Sequence, residues 1–311
     1  MIRFIHGSPT ILSGGCVLSV GSFDGIHLGH QAIISRMAEL GREKGLPLLL
    51  ATFDPHPRSV LTGEPERRLT SLSERSHVLV GLGVDVFAAV SFTPELSRMA
   101  PTAFVEEILI GQLAAKGIVL GHDHRFGKDR EGDARLLAEL ALKHDLLFAE
   151  VGPVDSGNEP VSSSRIRALL ESGNVGAVKP LQGRFHAIAG SVVHGAGRGR
   201  TIGVPTANLV PDDGFKLVPA RGVYAVRVHL PDEATPRAGM MNIGNRPTFG
   251  GQEVHLEVNV LEWTGDLYGR EVRVEFVERV RDEQKFDGVE ALIRQLNADR
   301  DRCRMLLSPW L

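Results

Sequence analysis

Two histidines, His27 and His30, stand three residues apart in a short loop between two apolar segments. The segment before the loop, at residues 16–20, predicts a buried strand, and the segment at 32–40 has the apolar spacing of a helix. The loop also contains Asp24 and Gly25. A strand that passes through a glycine-containing loop into a helix presents backbone N–H groups and the positive end of the helix dipole, which attract phosphate. The loop therefore predicts a site for a phosphate-bearing ligand.

Other residues that suit ligand binding also follow predicted strands. Alternating strand-like and helix-like segments, from Cys16 to about Gly173, indicate a parallel sheet with helices on both faces. In such a sheet, ligands bind at the carboxyl ends of the strands. The residues at these ends are Asp54 and His56 after the run at 48–53, Asp123 and Phe126 after the run at 118–120, and Ser163, Ser164 and Arg167 after the strand that ends at Val151.

The composition is that of an ordinary globular protein. A length of 311 residues favours two domains, and 42% hydrophobic with 23% charged residues is enough for a sizeable core. A net charge of -3 argues against a general affinity for nucleic acid or anionic membranes. Cys16 and Cys303 lie in apolar segments, which argues against a disulfide framework. No signal-peptide core or bilayer-spanning apolar run is present in the sequence, so we expect a cytoplasmic protein.

The pattern changes near residue 181. A connection that contains Gly173, Gly176 and Pro180 follows the last helix of the alternating region, and strands dominate from Phe185 onward. We therefore predict an α/β domain with a doubly wound parallel sheet at residues 1–181 and a strand-rich domain at residues 182–311.

The ten residues from Gly21 to His30, Gly-Ser-Phe-Asp-Gly-Ile-His-Leu-Gly-His, resemble the HxGH signature of the nucleotidylyltransferase superfamily. In this longer form they resemble the N-terminal module of bifunctional bacterial riboflavin kinase/FAD synthetases. The three later strand ends match that module in order, except that His124 replaces an aromatic residue and Ser164 a threonine. The resemblance implies that His27 and His30 contact the ATP phosphates and that Arg167 holds the departing pyrophosphate. It also implies ligand-binding roles for Gly21, Phe23, Asp24, Gly25, His56, Asp123, Phe126, Ser163 and Ser164.

Two of these segments have other interpretations. His122 and His124 have the residue type of metal ligands, but no third ligand stands at a suitable spacing, so a polar loop is the alternative. The segment around His56, with a proline on either side, is also explained as a stiff turn.

The second half contains a different set of polar residues. Four glycines, including Gly197, and two arginines stand among the nine residues from Gly195 to Gly203, which suits a loop that wraps phosphates. Thr206 and Asn208 point to the same side of an extended chain, where their oxygens can reach one Mg²⁺. At residues 253–263 the apolar residues alternate with His255, Glu257 and Asn259, which predicts a strand with these three on the face away from the core. A carboxylate on such a strand can accept a proton from an alcohol that attacks the γ-phosphorus of ATP.

This half resembles riboflavin kinase from about Gly183 onward. The matching pieces include Gly-Val-Pro-Thr-Ala-Asn at 203–208, Asn-Ile-Gly-x-Arg-Pro-Thr at 242–248, and a glutamate nine residues before Asp266. The resemblance implies a closed antiparallel barrel of six strands, with Glu257 as base and with Thr206 and Asn208 at Mg-ATP. Asn242 and Arg246 are further candidates for ligand binding. Asp287 and Glu290 predict a capping box that begins a C-terminal helix, whose apolar stripe from Val289 to Leu296 packs on the sheet.

The hypothesis is a bifunctional enzyme that phosphorylates riboflavin to FMN and adenylylates FMN to FAD. Its ligands are riboflavin, FMN, FAD, ATP, ADP and pyrophosphate, with Mg²⁺ accompanying ATP. One alternative is another nucleotidylyltransferase in which the barrel only binds substrate. The second is a flavin-binding or flavin-sensing module that no longer turns over.

Overall fold

The structure is a computed structural model that describes residues 3–7, 12, 14–195, 203–248 and 251–310. The chain folds into two compact units, Met1–Ser163 and Ser164–Leu311. The domain boundary predicted at residue 181 remains a prediction, since a compact unit and a functional domain need not end at the same residue. Within the described parts of the chain, no helix is both long and apolar enough to cross a membrane.

Six strands form the sheet of the first unit. They are β1 (Arg3–Gly7), β2 (Cys16–Val20), β3 (Leu48–Asp54), β4 (Val86–Ser91), β5 (Ala115–Gly121) and β6 (Leu147–Val151). Their order across the sheet is β1-β4-β3-β2-β5-β6, and each neighbouring pair is parallel. All five residues of β2 are buried, as expected for a strand covered on both faces. The predicted α/β fold with a parallel sheet is confirmed.

Helices connect these strands and cover both faces of the sheet. Val17 packs in one apolar cluster with Ile33 and Met37. Its neighbour Leu18 packs in another cluster, with Phe104. Successive side chains of a strand point to opposite faces, so these clusters are the two cores on either side of the sheet. The helical segments are α1 (Leu28–Lys44), α2 (Pro57–Thr62), α3 (Leu72–Gly81), α4 (Pro94–Ser97), α5 (Pro101–Ala103), a π-helix (Phe104–Gln112) and α6 (Ala134–Lys143).

Two segments of the first unit differ from the sequence prediction. The edge strand β1 was not predicted. The second segment is the helix that the alternation predicts between β4 and β5, which is a short α-helix that continues as the π-helix and ends before β5 begins at Ala115. The amide of Leu113 donates to the carbonyl of Ile108 at 2.9 Å, which is the wider spacing of a π-helix. A hairpin of β7 (Asp155–Ser156) and β8 (Glu159–Pro160) then leads to α7 (Ser163–Glu171), which crosses the division between the units.

Six antiparallel strands close into a barrel in the second unit. They are β9 (His186–Val193), β10 (Ala207–Pro211), β11 (Gly222–His229), β12 (Arg237–Thr248), β13 (Gly251–Val260) and β14 (Glu271–Arg281). Their order is β10-β13-β12-β11-β14-β9, with β9 also paired to β10, so the sheet has no open edge. The helix α8 (Lys179–Gln182) precedes the barrel, and α9 (Val289–Leu307) follows it. The predicted six-stranded barrel with a terminal helix is confirmed.

The C-terminal helix α9 packs on the outside of the barrel. Cys303 and Leu307 join one apolar cluster with Ala225 and Met240, so the outer face of the barrel is apolar at this place. The predicted capping box is wrong: α9 begins after Gly288, and no side chain caps it. Val289 is 60% exposed, so the packing face of the helix begins further along than predicted.

Candidate active sites in the two units

The loop with the two histidines follows β2, next to the centre of the first sheet. From β2 the chain first adds strands on one side, β3 and then β4, and only later adds β5 on the other side. The strand order therefore reverses between β2 and β5, where open α/β sheets bind their ligands. The helix α1 begins at Leu28, so the loop lies directly before a helix N-terminus, as predicted. The helix starts earlier than predicted: His27 is its N-cap, and His30 lies in its first turn rather than in the loop.

The two histidine side chains lie against each other. The rings of His27 and His30 stack with their centroids 3.6 Å apart and their planes at 18°. Phe23 contacts His30 with a centroid distance of 5.1 Å. A Cβ at position 29 would stand 3.2 Å from the His27 ring, so Gly29 leaves room for the imidazole. The structure therefore brings His27, His30 and Phe23 together.

The backbone of this loop takes unusual conformations at residues other than glycine. Phe23 has a φ of 45° and Ile26 a φ of 37°, while Gly25 has a φ of 85°. Positive φ is rare for a β-branched residue such as isoleucine, and a strained residue of this kind costs about 1–3 kcal/mol. Such conformations persist where the surrounding structure holds them, and two buried charged side chains do so here.

The first of these is Asp24, which is 3% exposed. Its carboxylate accepts hydrogen bonds from the amides of Leu69 and Thr70, at 2.9 and 3.0 Å, and from the Thr70 hydroxyl at 3.2 Å. That hydroxyl accepts in turn from the amide of Gly25 at 2.9 Å. Asp24 therefore fastens the loop to the segment that leads into α3.

The second is Arg75 on α3, which is 4% exposed. Its Nη1 donates to the carbonyl of Ser22 at 2.8 Å and to the Thr52 hydroxyl at 3.2 Å, and its Nε donates to the carbonyl of Thr70 at 3.3 Å. One guanidinium thus joins the loop, the end of β3 and the start of α3. The sequence analysis assigned no role to Arg75 or Thr70.

Two hydroxyl-bearing residues and Arg167 belong to α7. The Ser163 hydroxyl donates to the carbonyl of Asp24 at 2.8 Å, which places Ser163 at the histidine loop. Ser164 and Arg167 also lie on α7, in the part of the chain that groups with the second unit.

His56 lies at the N-terminus of α2, in the turn after β3. Its Nδ1 stands 2.7 Å from Glu66 Oε2 and 3.3 Å from the amide of Arg58. A ring nitrogen carries either a proton or a free lone pair, so both contacts cannot be hydrogen bonds at once. The Arg58 contact has hydrogen-bond geometry, so Nδ1 accepts there and caps the N-terminus of α2. Asp54, two residues earlier, forms an ion pair with Arg68 at 2.8 Å.

The loop after β5 carries Asp123, which is exposed, and Phe126, which is 7% exposed. His124, half-buried between them, stacks on Phe126 with a centroid distance of 6.2 Å. Burial lowers the pKa of His124 to about 4; Asp123 raises it and Arg130 lowers it to smaller extents. The imidazole is therefore uncharged near neutral pH and acts as an aromatic ring. Among the described residues, no group of three or more histidine, cysteine, aspartate or glutamate side chains is arranged to hold a metal ion.

In the barrel, three predicted residues form a row across adjacent strands. Asn208 on β10 is opposite Glu257 on β13, and Glu257 is opposite Asn242 on β12. Side chains of directly opposed residues project to the same face of a sheet, so all three project to one side. Their neighbours Leu209, Leu256 and Ile243 are buried, which identifies the row as the outer face.

Thr206 lies at the end of this row, just before β10. Its hydroxyl is 3.4 Å from Glu257 Oε2. Gly203, with a φ of 77°, begins the turn that leads to it. A Cβ at position 195 would stand 2.0 Å from Asn208 Nδ2, so the Asn208 amide lies directly on the backbone of Gly195.

Two predicted candidates of the barrel lie at the limits of the described residues. Gly197 lies outside them. Arg246 lies on β12 with its backbone opposite Glu253, and its side chain is not among those described.

The strand face that carries Glu257 also differs from the prediction. Asn259 was predicted to be on a face away from the core, but it is 5% exposed, whereas Val254, predicted to face the core, is 49% exposed. The periodicity was right for Leu256 and Val258, which are buried. Asn259 points outward, but the turn before β10 covers it, with its Nδ2 hydrogen-bonded to the Pro205 carbonyl.

Comparison with known proteins identifies the chain as an enzyme of the transferase class. A model of the FAD synthetase family matches residues 11–165, and a model of the riboflavin kinase family matches residues 182–307. The bifunctional riboflavin kinase/FMN adenylyltransferase of Escherichia coli (strain K12) is 37% identical over 300 residues, which are 96% of this chain and 95% of the relative. That of Listeria monocytogenes is 38% identical over 294 residues, which are 93% of this chain and 91% of the relative. The chain belongs to the bifunctional riboflavin kinase/FMN adenylyltransferase family.

A solved structure shows the same fold over nearly the whole chain. It is a crystal structure described as a macrolide-efflux protein from Streptococcus pneumoniae, with a TM-score of 0.89 and 34% identity, covering 97% of this chain and 99% of that chain. The description concerns the streptococcal protein.

Proposed function

We propose that this chain makes FAD from riboflavin in two ATP-dependent steps, with one reaction in each predicted domain. The domain at residues 182–311 phosphorylates riboflavin to FMN, and the domain at residues 1–181 adenylylates FMN to FAD with release of pyrophosphate. The observation that carries the proposal is that the two family matches divide between the two halves of the chain. Each half also contains side chains of the type that its reaction needs.

For the adenylylation we propose that the histidine loop binds the ATP phosphates. The FMN phosphate attacks the α-phosphorus of ATP and pyrophosphate leaves, so no covalent enzyme intermediate is needed. Catalysis then consists of positioning and of neutralising negative charge. His27 and His30 would donate to phosphate oxygens, and Arg167 would hold the pyrophosphate with its planar guanidinium. The stacked histidine rings at a helix N-terminus support this assignment.

The remaining candidates of the predicted adenylylation domain receive ligand-binding and positioning roles. Backbone groups of Gly21 and Gly25 would approach the phosphates, with the Phe23 ring beside His30. Asp24 would act through the loop rather than on the ligand, because its carboxylate is already occupied by Leu69 and Thr70. His56, Ser163 and Ser164 would contact ATP, and Asp123 and Phe126 would contact the flavin.

For the kinase reaction we propose Glu257 as the general base. The 5′-hydroxyl of the ribityl chain attacks the γ-phosphorus of ATP, its proton passes to the Glu257 carboxylate, and ADP leaves. Asn208 and Asn242, on either side of Glu257 in the strand row, would position the nucleotide and the flavin. Gly197, Gly203 and Arg246 would complete the binding of the phosphates and the vitamin.

We further propose that ATP is used with Mg²⁺, held at the kinase site by the Thr206 hydroxyl and the Asn208 amide oxygen. Both offer the hard oxygen ligands that Mg²⁺ prefers. The Thr206 hydroxyl lies 3.4 Å from the Glu257 carboxylate, so a cation bound at Thr206 would stand near the proposed base. When bound, the cation would neutralise charge that develops on the transferred phosphoryl group.

The test is to incubate the purified chain with riboflavin, ATP and Mg²⁺ and to separate the flavins by chromatography. The wild type should form FMN and then FAD. Glu257→Gln should lower FMN formation by roughly 10²–10⁴-fold and still convert supplied FMN to FAD. His30→Ala should do the reverse, with adenylylation reduced by roughly 10²–10³-fold.

The other outcomes separate the alternatives. FAD formed from FMN without any phosphorylation of riboflavin would identify a nucleotidylyltransferase with a binding barrel. Riboflavin bound with ATP left intact would identify a flavin-sensing module. A cytoplasmic location and the absence of a nucleic acid partner stay predictions from composition.

A further inference from the structure

The side chain of Asn259 on β13 holds the backbone of the turn that carries Thr206. Its amide Nδ2 donates to the carbonyl of Pro205 at a donor–acceptor distance of 2.6 Å. Asn259 is 5% exposed and lies two residues after Glu257, so the two side chains share the outer face of the barrel. Neither of the two reactions proposed above assigns a role to this asparagine.

The strand register explains why a side chain is needed here. The ladder between β10 and β13 pairs Asn208 with Glu257 and Ala207 with Val258, and it does not include the residues before Ala207. Continuing the same antiparallel register by one more residue would place Thr206 opposite Asn259. Pro205 has no N–H and cannot donate to a continued ladder. The Asn259 amide therefore provides a hydrogen bond to this turn just where the backbone ladder stops.

The attachment fixes the distance between two functional groups. Glu257 and Asn259 are on the same rigid strand, and Thr206 directly follows the carbonyl that Asn259 holds. The Thr206 hydroxyl stands 3.4 Å from the Glu257 carboxylate in this arrangement. The hydrogen bond from Asn259 therefore restrains the residue directly before the proposed Mg-ATP ligand.

We propose that Asn259 is a positioning residue of the kinase site, which holds Thr206 at the distance from Glu257 that phosphoryl transfer requires. It acts through the Pro205 carbonyl and does not touch the substrates. The inference rests on the proposed kinase function of this site.

Three substitutions test the hydrogen bond against simple packing. Asn259→Ala removes the donor, and we expect kcat/KM for Mg-ATP to fall about tenfold, as for the loss of one hydrogen bond. Asn259→Asp keeps the volume but places an oxygen against the Pro205 carbonyl, so it should be worse than Asn259→Ala. If Asn259 only fills space, Asn259→Asp should keep more activity than Asn259→Ala, because aspartate keeps the volume. Asn259→Gln keeps a donor and should recover part of the activity. The KM for riboflavin should stay within twofold throughout.

A double variant tests whether Asn259 acts on catalysis through Thr206. If Asn259 acts through Thr206, the double variant Asn259→Ala with Thr206→Val should have the kcat/KM of Thr206→Val alone. Losses that simply multiply would overturn the proposal, as would an Asn259→Asp variant that equals the wild type.

The adenylylation activity of the same chain is the control for correct folding of each variant. Adenylylation of supplied FMN should stay within twofold of wild type in every variant. Asn297→Asp, an exposed change on α9, should alter neither activity. If the wild-type chain does not phosphorylate riboflavin, the proposed function fails. If Glu257→Gln is inactive but the Asn259 variants are normal, only the present inference fails.

Discussion

The loop with His27 and His30 and the strand row with Glu257 hold their side chains by different means. The loop contains two non-glycine residues with positive φ, and its shape is fixed by Asp24 and Arg75. These contacts join residues that are far apart in the sequence; Arg75 reaches Ser22, 53 residues earlier. The shape of the loop therefore depends on a small group of buried polar contacts.

The row of side chains on the outer face of the barrel does not depend on buried polar contacts of this kind. Asn208, Glu257 and Asn242 occupy opposed positions on three adjacent strands, and the ladder hydrogen bonds fix their spacing. Only its end, where Pro205 interrupts the pairing, depends on a side chain. We infer that the first site is sensitive to changes at distant buried residues, whereas the second is sensitive to changes within the row. Single substitutions that affect one activity and spare the other can test this contrast.

The largest effect is expected from Arg75→Met. Methionine fills a similar space but removes the hydrogen bonds that the guanidinium donates to the Ser22 and Thr70 carbonyls and to the Thr52 hydroxyl. A hydrogen bond from a charged group contributes about 1.5–3 kcal/mol, and the strained loop is not independently stable. FMN adenylylation should fall by at least about 100-fold, with riboflavin phosphorylation within twofold of wild type, in assays of each reaction separately.

The control for this change is Arg42→Met. Arg42 lies on α1, is exposed, and donates only within its own helix, to the carbonyl of Ala38. It should leave both activities unchanged. If Arg75→Met lowers both activities together, the damage is general unfolding, and the contrast between the two sites is not supported.

A smaller effect is expected from Gly195→Ala, which should change riboflavin phosphorylation rather than adenylylation. A Cβ at this position would stand 2.0 Å from Asn208 Nδ2. The Asn208 amide must move, because atoms cannot approach so closely. We expect the KM for Mg-ATP to rise about tenfold, the equivalent of one lost hydrogen bond, while adenylylation is unchanged. Gly214→Ala is the matched control, since nothing lies within 4 Å of a Cβ there. An unchanged KM for Mg-ATP in Gly195→Ala would show that Asn208 does not contact the nucleotide.

The contrast between a site held by contacts of distant residues and a site held by strand pairing explains what the sequence could predict. The order of strands and helices in the first unit was visible because fully buried strands are continuous apolar runs, such as Cys16–Val20. The strand of Glu257 was visible from its alternation. The position of Thr206 next to Glu257 could be expected from the resemblance to riboflavin kinase, and the structure places the hydroxyl and carboxylate oxygens 3.4 Å apart.

What could not be predicted depends on contacts between distant segments. Arg75 stands on a short helix, where a charged residue is usually solvated, and nothing in its sequence neighbourhood indicates that it is 4% exposed. Asp24 was assigned to the ligand because its binding partners, Leu69 and Thr70, are 45 and 46 residues away. Asn259 was predicted to be on an open face because the alternation of a strand does not show which elements cover that face.

The smallest effect is expected from His124→Phe, in the loop after β5. An aromatic residue was expected at this position, and burial keeps the pKa of His124 at about 4, so its ring is uncharged near neutral pH. A phenylalanine supplies the same kind of ring against Phe126, and adenylylation at about pH 7.5 should stay within about threefold of wild type, since both rings offer similar stacking.

The pH dependence of thermal stability should differ between the wild type, which has an imidazole at position 124, and the His124→Phe variant. Because the pKa of His124 is lower in the folded chain than its ordinary value of 6.5, its contribution to stability is present above pH 6.5 and is lost as the pH falls towards 4. His124→Phe should therefore lose less thermal stability than the wild type when melting is measured at about pH 7.5 and again at about pH 5. Replacing His77, which is exposed on α3, with glutamine is the control. A His124→Phe variant with the same loss as the wild type would mean that the imidazole is already solvated in the folded chain.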